Sequence, residues 1–417
     1  MIKQEALTLI TPVMAGQHTQ LHNELRKIKD ELILNKHEMF EKLGTIHFAR
    51  WIILEPAEVQ GEKLKARLAF SSNYDSGPKD HISALSETAG PFIDRIYQYC
   101  EGYPDESSRN PKTRADYLQQ WQIDNVGFYV GAPGRTLDQI RKESALQKFI
   151  RAYLNTKDWK GQSTLQVHKS IKEAVLANNQ LSWVKEEVQI PSVNYIGLFF
   201  TGIVLLALLP FILIWLLIIE IFYERHDTPL GLTPSQVSEP HIRHLEEYED
   251  LENQNQFTQV LIMKPGFARL ATFQGFMLFS RQLIGKLFVD GKLMGIPTIH
   301  FARWILIDNN KRMLFLSNFD GSWQQYLGDF IDKSGWGLTA IWSNSMGFPR
   351  TKFTFFGGAY DEEHFLAWSR YYEIPTQVWY SAYPHLSIKN IINNTKIRME
   401  LMKDLDERQA GIFLKRI

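Results

Sequence analysis

The sequence predicts an α+β fold made of two similar β-α-β-β-α-β units with a hydrophobic membrane segment between them. Three observations predict this architecture. The octapeptide TIHFARWI occurs twice, at 45–52 and at 298–305. An uncharged apolar run occupies 196–219. Strand-like and helix-like stretches follow in the same order on both sides of that run, which indicates an internal duplication.

Size and composition restrict the class of protein. A chain of 417 residues with 44% hydrophobic residues is long enough for two or three domains with sizeable cores. The 46 basic residues balance the 46 acidic residues, which argues against a nucleic-acid binder. The single cysteine, Cys100, excludes an internal disulfide and a cysteine zinc site. Because the first residues lack the pattern of a signal peptide, we expect the soluble parts to be cytoplasmic.

Each unit reads as a strand, a helix, two strands, a second helix, a long tract with proline and glycine, a last strand and a closing helix. This order is the ferredoxin-like arrangement. The matched tracts extend beyond the octapeptide, because FSSNYDSG at 70–77 corresponds to FLSNFDGS at 315–322. FYVGAPGRTLDQI at 128–140 likewise corresponds to WYSAYPHLSIKNI at 379–391. The two units therefore share one predicted fold.

Apolar periodicity and turn residues set the predicted boundaries. Asn309 and Asn310 lie between two apolar runs as a hairpin turn. The predicted strands are 6–12, 45–52, 66–72 and 126–131 in the first unit, and 260–264, 298–305, 313–318 and 376–381 in the second. The predicted segments are a first repeat at 1–160, a connector at 161–192, a membrane segment at 193–223, an acidic linker at 224–256 and a second repeat at 257–417.

The apolar run at 196–219 contains 24 residues, whereas a membrane span needs roughly 20. Pro210 near its centre leaves two arrangements open. A single span places the units on opposite sides of the bilayer, and a hairpin about Pro210 places both on one side. Because each sheet has an open face that needs a cover, the pattern favours the hairpin. The acidic run LEEYEDLEN at 245–253 is typical of a solvated helix or linker.

Polar residues repeated in both units are the candidate site. With the turn at Asn309 and Asn310, strand alternation places Arg303, Asn318 and Asp320 on one face, with Ile299 opposite Asp320. The same alternation places His300 on the other face beside Trp304, Phe315 and Phe319. The equivalent residues of the first unit are Arg50, Asn73, Asp75 and His47.

Each of these residues also has a structural interpretation. The arginines suit a buried ion pair or a helix cap as well as a ligand. Asp320 and Asp75 suit a turn or the N-cap of the following helix, and Asn318 and Asn73 are compatible with turns. The histidines suit a core position among aromatic side chains. His385 follows the last strand of the second unit, where site residues gather in loops, so the site is expected mainly in that unit.

The whole chain resembles an uncharacterised family of membrane-associated proteins with two ferredoxin-like units. The tracts that carry the resemblance are LIMKPG, GIPTIHFARWILID, LFLSNFDGSWQQYLGDFID, IWSNSMGFPRT and IPTQVWYSAYPHLS. This resemblance implies an architecture and no particular activity.

The tract SNFDG at 317–321 is similar to the Gly-x-x-Asp-Gly motif of the dye-decolorising peroxidases. That family has two ferredoxin-like halves and belongs to the dimeric α/β-barrel superfamily. The resemblance implies a haem cofactor, with Asp320 as the distal acid, His385 as the proximal haem ligand and Arg398 as a distal arginine. The chain departs from the motif at Ser317, which replaces its first glycine.

Two function hypotheses are compatible with these observations. The first is a membrane-anchored binding or scaffold protein with an aromatic-rich cavity for an apolar or lipid-like ligand. Its expected partners are membrane lipid, an apolar small molecule and further copies of the chain. Its expected ligand-binding residues are Arg303, Asn318, His300, Arg50, Asn73 and His47. The second is a membrane-bound haem peroxidase-like oxidoreductase, with Asp320 and Arg303 as catalytic residues. If the protein is an enzyme, the sequence favours this class.

Overall fold

The computed structural model describes residues 2–34, 38–289 and 291–417. The strands are β1 (Gln4–Pro12), β2 (Ile46–Leu54), β3 (Ala57–Val59), β4 (Glu62–Leu64), β5 (Arg67–Asp75), β6 (Gly127–Val130), β7 (Gln254–Ile262), β8 (Ile299–Ile307), β9 (Arg312–Asp320), β10 (Thr351–Lys352), β11 (Phe356–Gly357) and β12 (Val378–Ser381). The helices are α1 (His18–Ile33), α2 (Glu38–Leu43), α3 (His81–Thr88), α4 (Gly90–Tyr97), α5 (Pro111–Gln120), α6 (Leu137–Leu154), α7 (Thr164–Ala177), α8 (Tyr195–Phe222), α9 (Glu239–Glu246), α10 (Phe267–Leu287), α11 (Trp323–Trp342), α12 (Glu362–Tyr372), α13 (Ile388–Leu401) and α14 (Glu407–Leu414). The protein is therefore a mixed α and β fold.

The eight longest strands form two antiparallel sheets with equivalent strand orders. One sheet is ordered β1-β5-β2-β12 and the other β7-β9-β8-β6. Each sheet takes three strands from one half of the chain and its last strand from the other half. Val378 of β12 lies opposite Trp51 of β2, and Gly127 of β6 lies opposite Trp304 of β8. The prediction that each last strand stays within its own unit is therefore wrong.

The exchange of β6 and β12 covers two sheet edges that would otherwise present unpaired N–H and C=O groups. All nine residues of β2 and all nine of β8 are buried, including the histidine and the arginine of each copy. A glycine follows β6 because a Cβ at Gly131 would collide with the carbonyl oxygen of Ile299. The two halves of the chain therefore interlock in one body.

The two sheets pack face to face, and helices cover their outer faces. Along β2, Ile52 belongs to the layer between the sheets, whereas Trp51 points to the helices outside. The layer between the sheets includes Ile10, Ile52, Leu54, Ala69, Ile305, Ile307, Leu314 and Leu316. Helices α1, α3 and α4 cover the first sheet, and α10 and α11 cover the second. The closing helices α6 and α13 pack together, and α7 of the predicted connector packs on α14.

The predicted membrane segment is one continuous helix, α8, of 28 residues. Pro210 lies inside it on the exposed side, where its ring removes only one backbone hydrogen bond. The favoured hairpin about Pro210 is therefore wrong. Within the described residues, this is the one helix long and apolar enough to cross a membrane, and only 11% of its most apolar window is buried.

Helix α8 lies antiparallel along α10 and is attached to the body at both ends. At its start, the Asn194 N–H donates to the Lys286 carbonyl at 3.0 Å. Near its end, the Trp215 indole donates to Thr272 Oγ1 at 2.9 Å. Beyond that, Glu220 accepts the Phe353 N–H at 3.1 Å. Because both ends contact the same body, α8 does not separate the two halves.

The acidic run is not a wholly solvated linker. Leu245 at the end of α9 is buried in the body, and Glu249 is 6% exposed. Glu249 binds Arg370 of α12 through both carboxylate oxygens, at 2.5 and 2.9 Å. Strand β7 then begins at Gln254, six residues before the predicted start. Within this charged run, Glu249 is therefore part of the core.

Candidate functional site

A β-bulge at the start of β8 places His300 beside Asp320. Phe301 lies opposite Asn318 and Ile299 lies opposite Phe319, so His300 is the extra residue of the bulge. His300 Nε2 lies 2.8 Å from Asp320 Oδ1. The predictions that Ile299 faces Asp320 and that His300 points away from it are therefore wrong, because simple alternation fails at a bulge.

The first half has the same arrangement. A bulge between Ile46 and Phe48 turns His47 toward Asp75, with Nε2 to Oδ1 at 3.0 Å. The second oxygen of each aspartate accepts a backbone N–H at a helix start, Leu137 of α6 at 2.6 Å and Ile388 of α13 at 2.9 Å. A carboxylate is favourable there because of the orphan N–H groups and the helix dipole.

Asp75 and Asp320 each accept a backbone N–H at the start of a helix, but it is not the helix that the structural interpretation expected. The capped helix is the closing one, reached 62 and 68 residues later, rather than the helix that follows the strand. The local sequence carries no sign of that long-range contact. Each His–Asp pair consequently anchors the closing helix of its own half to the end of a sheet.

Aromatic side chains surround both histidines. Tyr383 Oη lies 3.0 Å from His47 Nδ1, and its ring lies 5.8 Å from His300. Phe48 and Phe301 pack at 5.8 Å in the same cluster. Burial raises the pKa of Tyr383 well above its usual range, so its phenol stays protonated beside His47.

Arg50 crosses from the first sheet to the second. Its guanidinium donates to the carbonyls of Phe257 at 3.0 Å and Ser317 at 2.7 Å. It also donates to Thr258 Oγ1 at 3.0 Å and Asn318 Oδ1 at 2.5 Å. Burial, with a smaller contribution from the Arg303 charge, lowers the pKa of Arg50 to about 9. Four oxygens thus hold this buried cation, and it links the two sheets.

Arg303 has fewer contacts. Its Nη2 donates to Ser71 Oγ, and within the described residues its buried Nη1 has no hydrogen-bond partner. Burial lowers the pKa of Arg303 to about 9. Asn318 Nδ2 donates to Asn73 Oδ1 at 3.1 Å, so the two predicted asparagines meet between the sheets. Both halves contribute to this buried polar centre, which consists of Arg50, Asn73, Arg303 and Asn318.

The residues that the peroxidase resemblance implies do not fit a haem. Both oxygens of Asp320 are engaged, by His300 and by the start of α13. The Arg398 side chain lies 3.4 Å from Glu143 and donates to the Trp183 and Glu186 carbonyls. His385 is 77% exposed and lies 3.8 Å from Glu252. Each of these three side chains serves a separate contact.

Sequence reasoning missed an apolar groove between α8 and α10. Its volume is about 1000 Å³. Apolar side chains of both helices line it, including Leu205, Leu208, Ile212, Phe276 and Phe279, together with Gly275. Lys286 lies at one end and donates to Thr201 Oγ1 at 2.8 Å. The tract FARLATFQGFMLFS of α10 is apolar on more than one face, which is the signal that could have identified α10 as the partner of α8.

Comparisons of this chain with family models, with curated proteins and with solved structures give no match.

Proposed function

We propose that the protein is a membrane-surface lipid-binding protein, in which α8 lies along one leaflet and the α8–α10 groove holds an acyl chain. The observation that carries the proposal is the groove itself, apolar along its length and bounded by a helix whose outer side chains are exposed. Ligand pockets of roughly 300–1,000 Å³ with apolar walls and few polar groups are typical of small-molecule sites.

The exposed face of α8 supports the membrane contact. Ile196 is 74% exposed, Leu206 is 72% exposed and Phe222 is 66% exposed. A helix of 28 residues is about 42 Å long at ~1.5 Å per residue, so its outer face is a continuous exposed apolar stripe of the kind that marks a membrane or protein contact. Contact with lipid tails removes that face from water.

The attachments of α8 support an orientation parallel to the membrane. Asn194 at the start and Glu220 at the end both contact the body that contains the two sheets. A crossing helix would carry one of these ends to the far side of the bilayer. An interfacial helix instead buries its outer face about 5–10 Å into the leaflet, and both ends stay with the body.

The groove has one polar end, which suits an amphiphile. Lys286 Nζ lies 2.8 Å from Thr201 Oγ1 and 3.0 Å from Gln282 Oε1. An ammonium group at the end of an apolar groove favours an acidic headgroup, as in other lipid sites with basic residues. The lipid class that fits is therefore an anionic amphiphile with its tail along α10.

We propose further that the two sheets derive from duplicated ferredoxin-like units that have exchanged their last strands. The repeated sequence tracts and the equivalent strand orders support this origin. The His–Asp pairs and the buried arginines then serve the assembly of the two units. We propose a cytoplasmic location for the body, with its membrane contact at α8.

Two glycines provide a matched test of the groove. A Cβ at Gly275 or at Gly202 meets nothing within 4 Å, yet only Gly275 lines the groove. We expect Gly275→Leu to lose copurified lipid, measured by mass spectrometry of extracts, because the new side chain fills the groove. We expect Gly202→Leu on α8 to retain lipid. Equal lipid content in both variants and the wild type, with unchanged melting temperatures, would contradict the proposed groove.

Membrane contact is tested separately by flotation with vesicles of phosphatidylcholine and phosphatidylglycerol. Leu206→Lys combined with Leu213→Lys should abolish flotation, because charges would enter the apolar layer. The control Leu251→Lys changes a side chain that is 60% exposed away from α8 and should float like the wild type. Flotation of the double variant at the wild-type level would contradict the membrane contact.

A further inference from the structure

Two histidines and a glutamate converge at the start of α1. His18 and His22 are one helical turn apart, so their side chains share one face of α1. Glu55 directly follows β2. His18 Nε2 lies 2.9 Å from Glu55 Oε2, and His22 Nε2 lies 3.1 Å from Glu55 Oε1. One ligand atom from each of the three residues lies within 4.8 Å of the others.

His18 Nε2 faces Glu55 rather than solvent. This nitrogen is buried and lies 2.9 Å from Glu55 Oε2. The two imidazole rings lie 4.7 Å apart at 73°, so both nitrogens reach Glu55 from different directions.

We propose that His18, His22 and Glu55 form a site for a divalent transition-metal ion of the zinc class. Zinc takes imidazole nitrogen at ~2.0–2.1 Å and carboxylate oxygen at ~2.0–2.2 Å in tetrahedral geometry, which puts neighbouring ligand atoms about 3.4 Å apart. The contacts of 2.9 and 3.1 Å involve different oxygens of Glu55, and one ligand atom from each residue lies within 4.8 Å of the others. Binding an ion therefore requires side-chain adjustments of up to about 1.4 Å.

Three protein ligands leave a fourth position open. The side chains of His18, His22 and Glu55 are 37%, 34% and 57% exposed, so water can complete a tetrahedral shell. The ion would join the start of α1 to the end of β2. It would thereby fix the helix that covers the first sheet.

The equivalent helix of the second half, α10, is held in place by different contacts. The strand registers make Gln4 and Gln254 equivalent, since each lies opposite the last residue of its neighbouring strand. With the same offset, the equivalents of His18 and His22 are Ala268 and Thr272. Thr272 Oγ1 there accepts a hydrogen bond from the indole N–H of Trp215 in α8. The metal ligands are thus confined to the half whose helix lacks a covering α8.

The test is titration of the full-length, untagged, metal-free protein with Zn²⁺ in a calorimeter, and with Co²⁺ followed by visible absorption. The wild type should bind one ion and give the intense visible bands of tetrahedral cobalt. Removing an outer-shell partner of a metal ligand typically lowers metal affinity about 10–100-fold. Removing a ligand itself, by His22→Ala or Glu55→Gln, should therefore weaken binding by more than about 100-fold.

The matched control is His244→Ala. His244 pairs with Glu247 at 3.4 Å on the protein surface and has no third ligand within the described residues. This variant should bind Zn²⁺ like the wild type, and all variants should melt like the wild type without metal. Absence of stoichiometric binding by the wild type, or unchanged binding by His22→Ala and Glu55→Gln, would overturn the proposed site.

Discussion

Arg370 pairs with two buried carboxylates, and its replacement should therefore destabilise the fold. The Arg370 guanidinium lies 2.5 and 2.9 Å from the two oxygens of Glu249, and 3.0 Å from Glu373. It also lies over the Trp323 ring at 3.8 Å. Glu249 and Glu373 are 6% and 2% exposed. The substitution Arg370→Met keeps much of the apolar volume and removes the charge.

The expected loss of unfolding free energy is about 3–5 kcal/mol, the usual effect of removing one partner from a buried ion pair. Burial raises the pKa of Glu373 well above its usual range, and the Arg370 charge opposes that rise. The loss should therefore depend on pH. Because the folded-state pKa of Glu373 lies above the unfolded value, protonation favours the folded state.

Arg370→Met raises the pKa of Glu373 further, so the deficit should be largest near pH 8 and smaller near pH 5. Urea unfolding followed by circular dichroism measures both values. The double variant Arg370→Met with Glu373→Gln should recover part of the loss, since one unpaired carboxylate is removed.

Arg95→Met is a matched control on the surface. Arg95 also binds two carboxylates, Glu24 at 2.8 Å and Glu31 at 2.9 Å, but its side chain is 37% exposed. Water screens the Arg95–Glu31 pair, and Lys27 still contacts the buried Glu24 at 3.4 Å, so the expected loss is about 1 kcal/mol. Equal losses for Arg370→Met and Arg95→Met, or a pH-independent loss for Arg370→Met, would refute the reasoning.

Four further predictions concern other buried groups. Asp75→Asn and Asp320→Asn should each lower stability by about 1–3 kcal/mol in urea unfolding, because the anion at a helix start and its histidine contact are lost. Arg50→Met should destabilise the protein more than Arg303→Met, because Arg50 donates to four oxygens and Arg303 to Ser71. Burial lowers the pKa of His81 to about 4, so the neutral ring contributes stability above pH ~6.5 that is lost as the pH falls toward 4. His81→Phe should remove this pH-dependent part of the unfolding free energy, which amounts to about 3 kcal/mol between about pH 6.5 and pH 4. Burial raises the pKa of Cys100 to about 12, so Ellman's reagent should label it only after denaturation, and rapid labelling of the native protein would contradict its burial.

The hairpin of β8 and β9 shows how far sequence reasoning reaches. The turn at Asn309 and Asn310 correctly predicts that Arg303 lies opposite Leu316. The same register fails at His300, because a bulge adds one residue there and changes the face of the side chains beyond it. Local pattern therefore placed Arg303 and Asn318 correctly and separated His300 from Asp320 wrongly.

Long-range contacts account for the other differences. The pairing of β12 with β2 joins residues more than 320 positions apart, and no local propensity distinguishes it from pairing within one unit. Pro210 suggested a break in α8, yet its exposed position tolerates one lost hydrogen bond. Glu249 lies in a charged run and is buried only because Arg370 meets it there. Such partners become visible only in the folded chain.

The depth of α8 in a bilayer tests the central proposal most directly. Spin labels would be placed one at a time at Tyr195, Phe199, Leu206, Leu213 and Leu217, which share the outer face of α8, in a Cys100→Ser background and in vesicles containing an anionic lipid. Relative accessibility to oxygen and to a water-soluble nickel complex then reports the depth of each label. We predict the same shallow depth at all five exposed positions, because α8 lies along one leaflet. A depth that rises from Tyr195 to a maximum near Leu206 and falls again toward Leu217 would contradict the proposal, since that profile belongs to a helix that crosses the membrane.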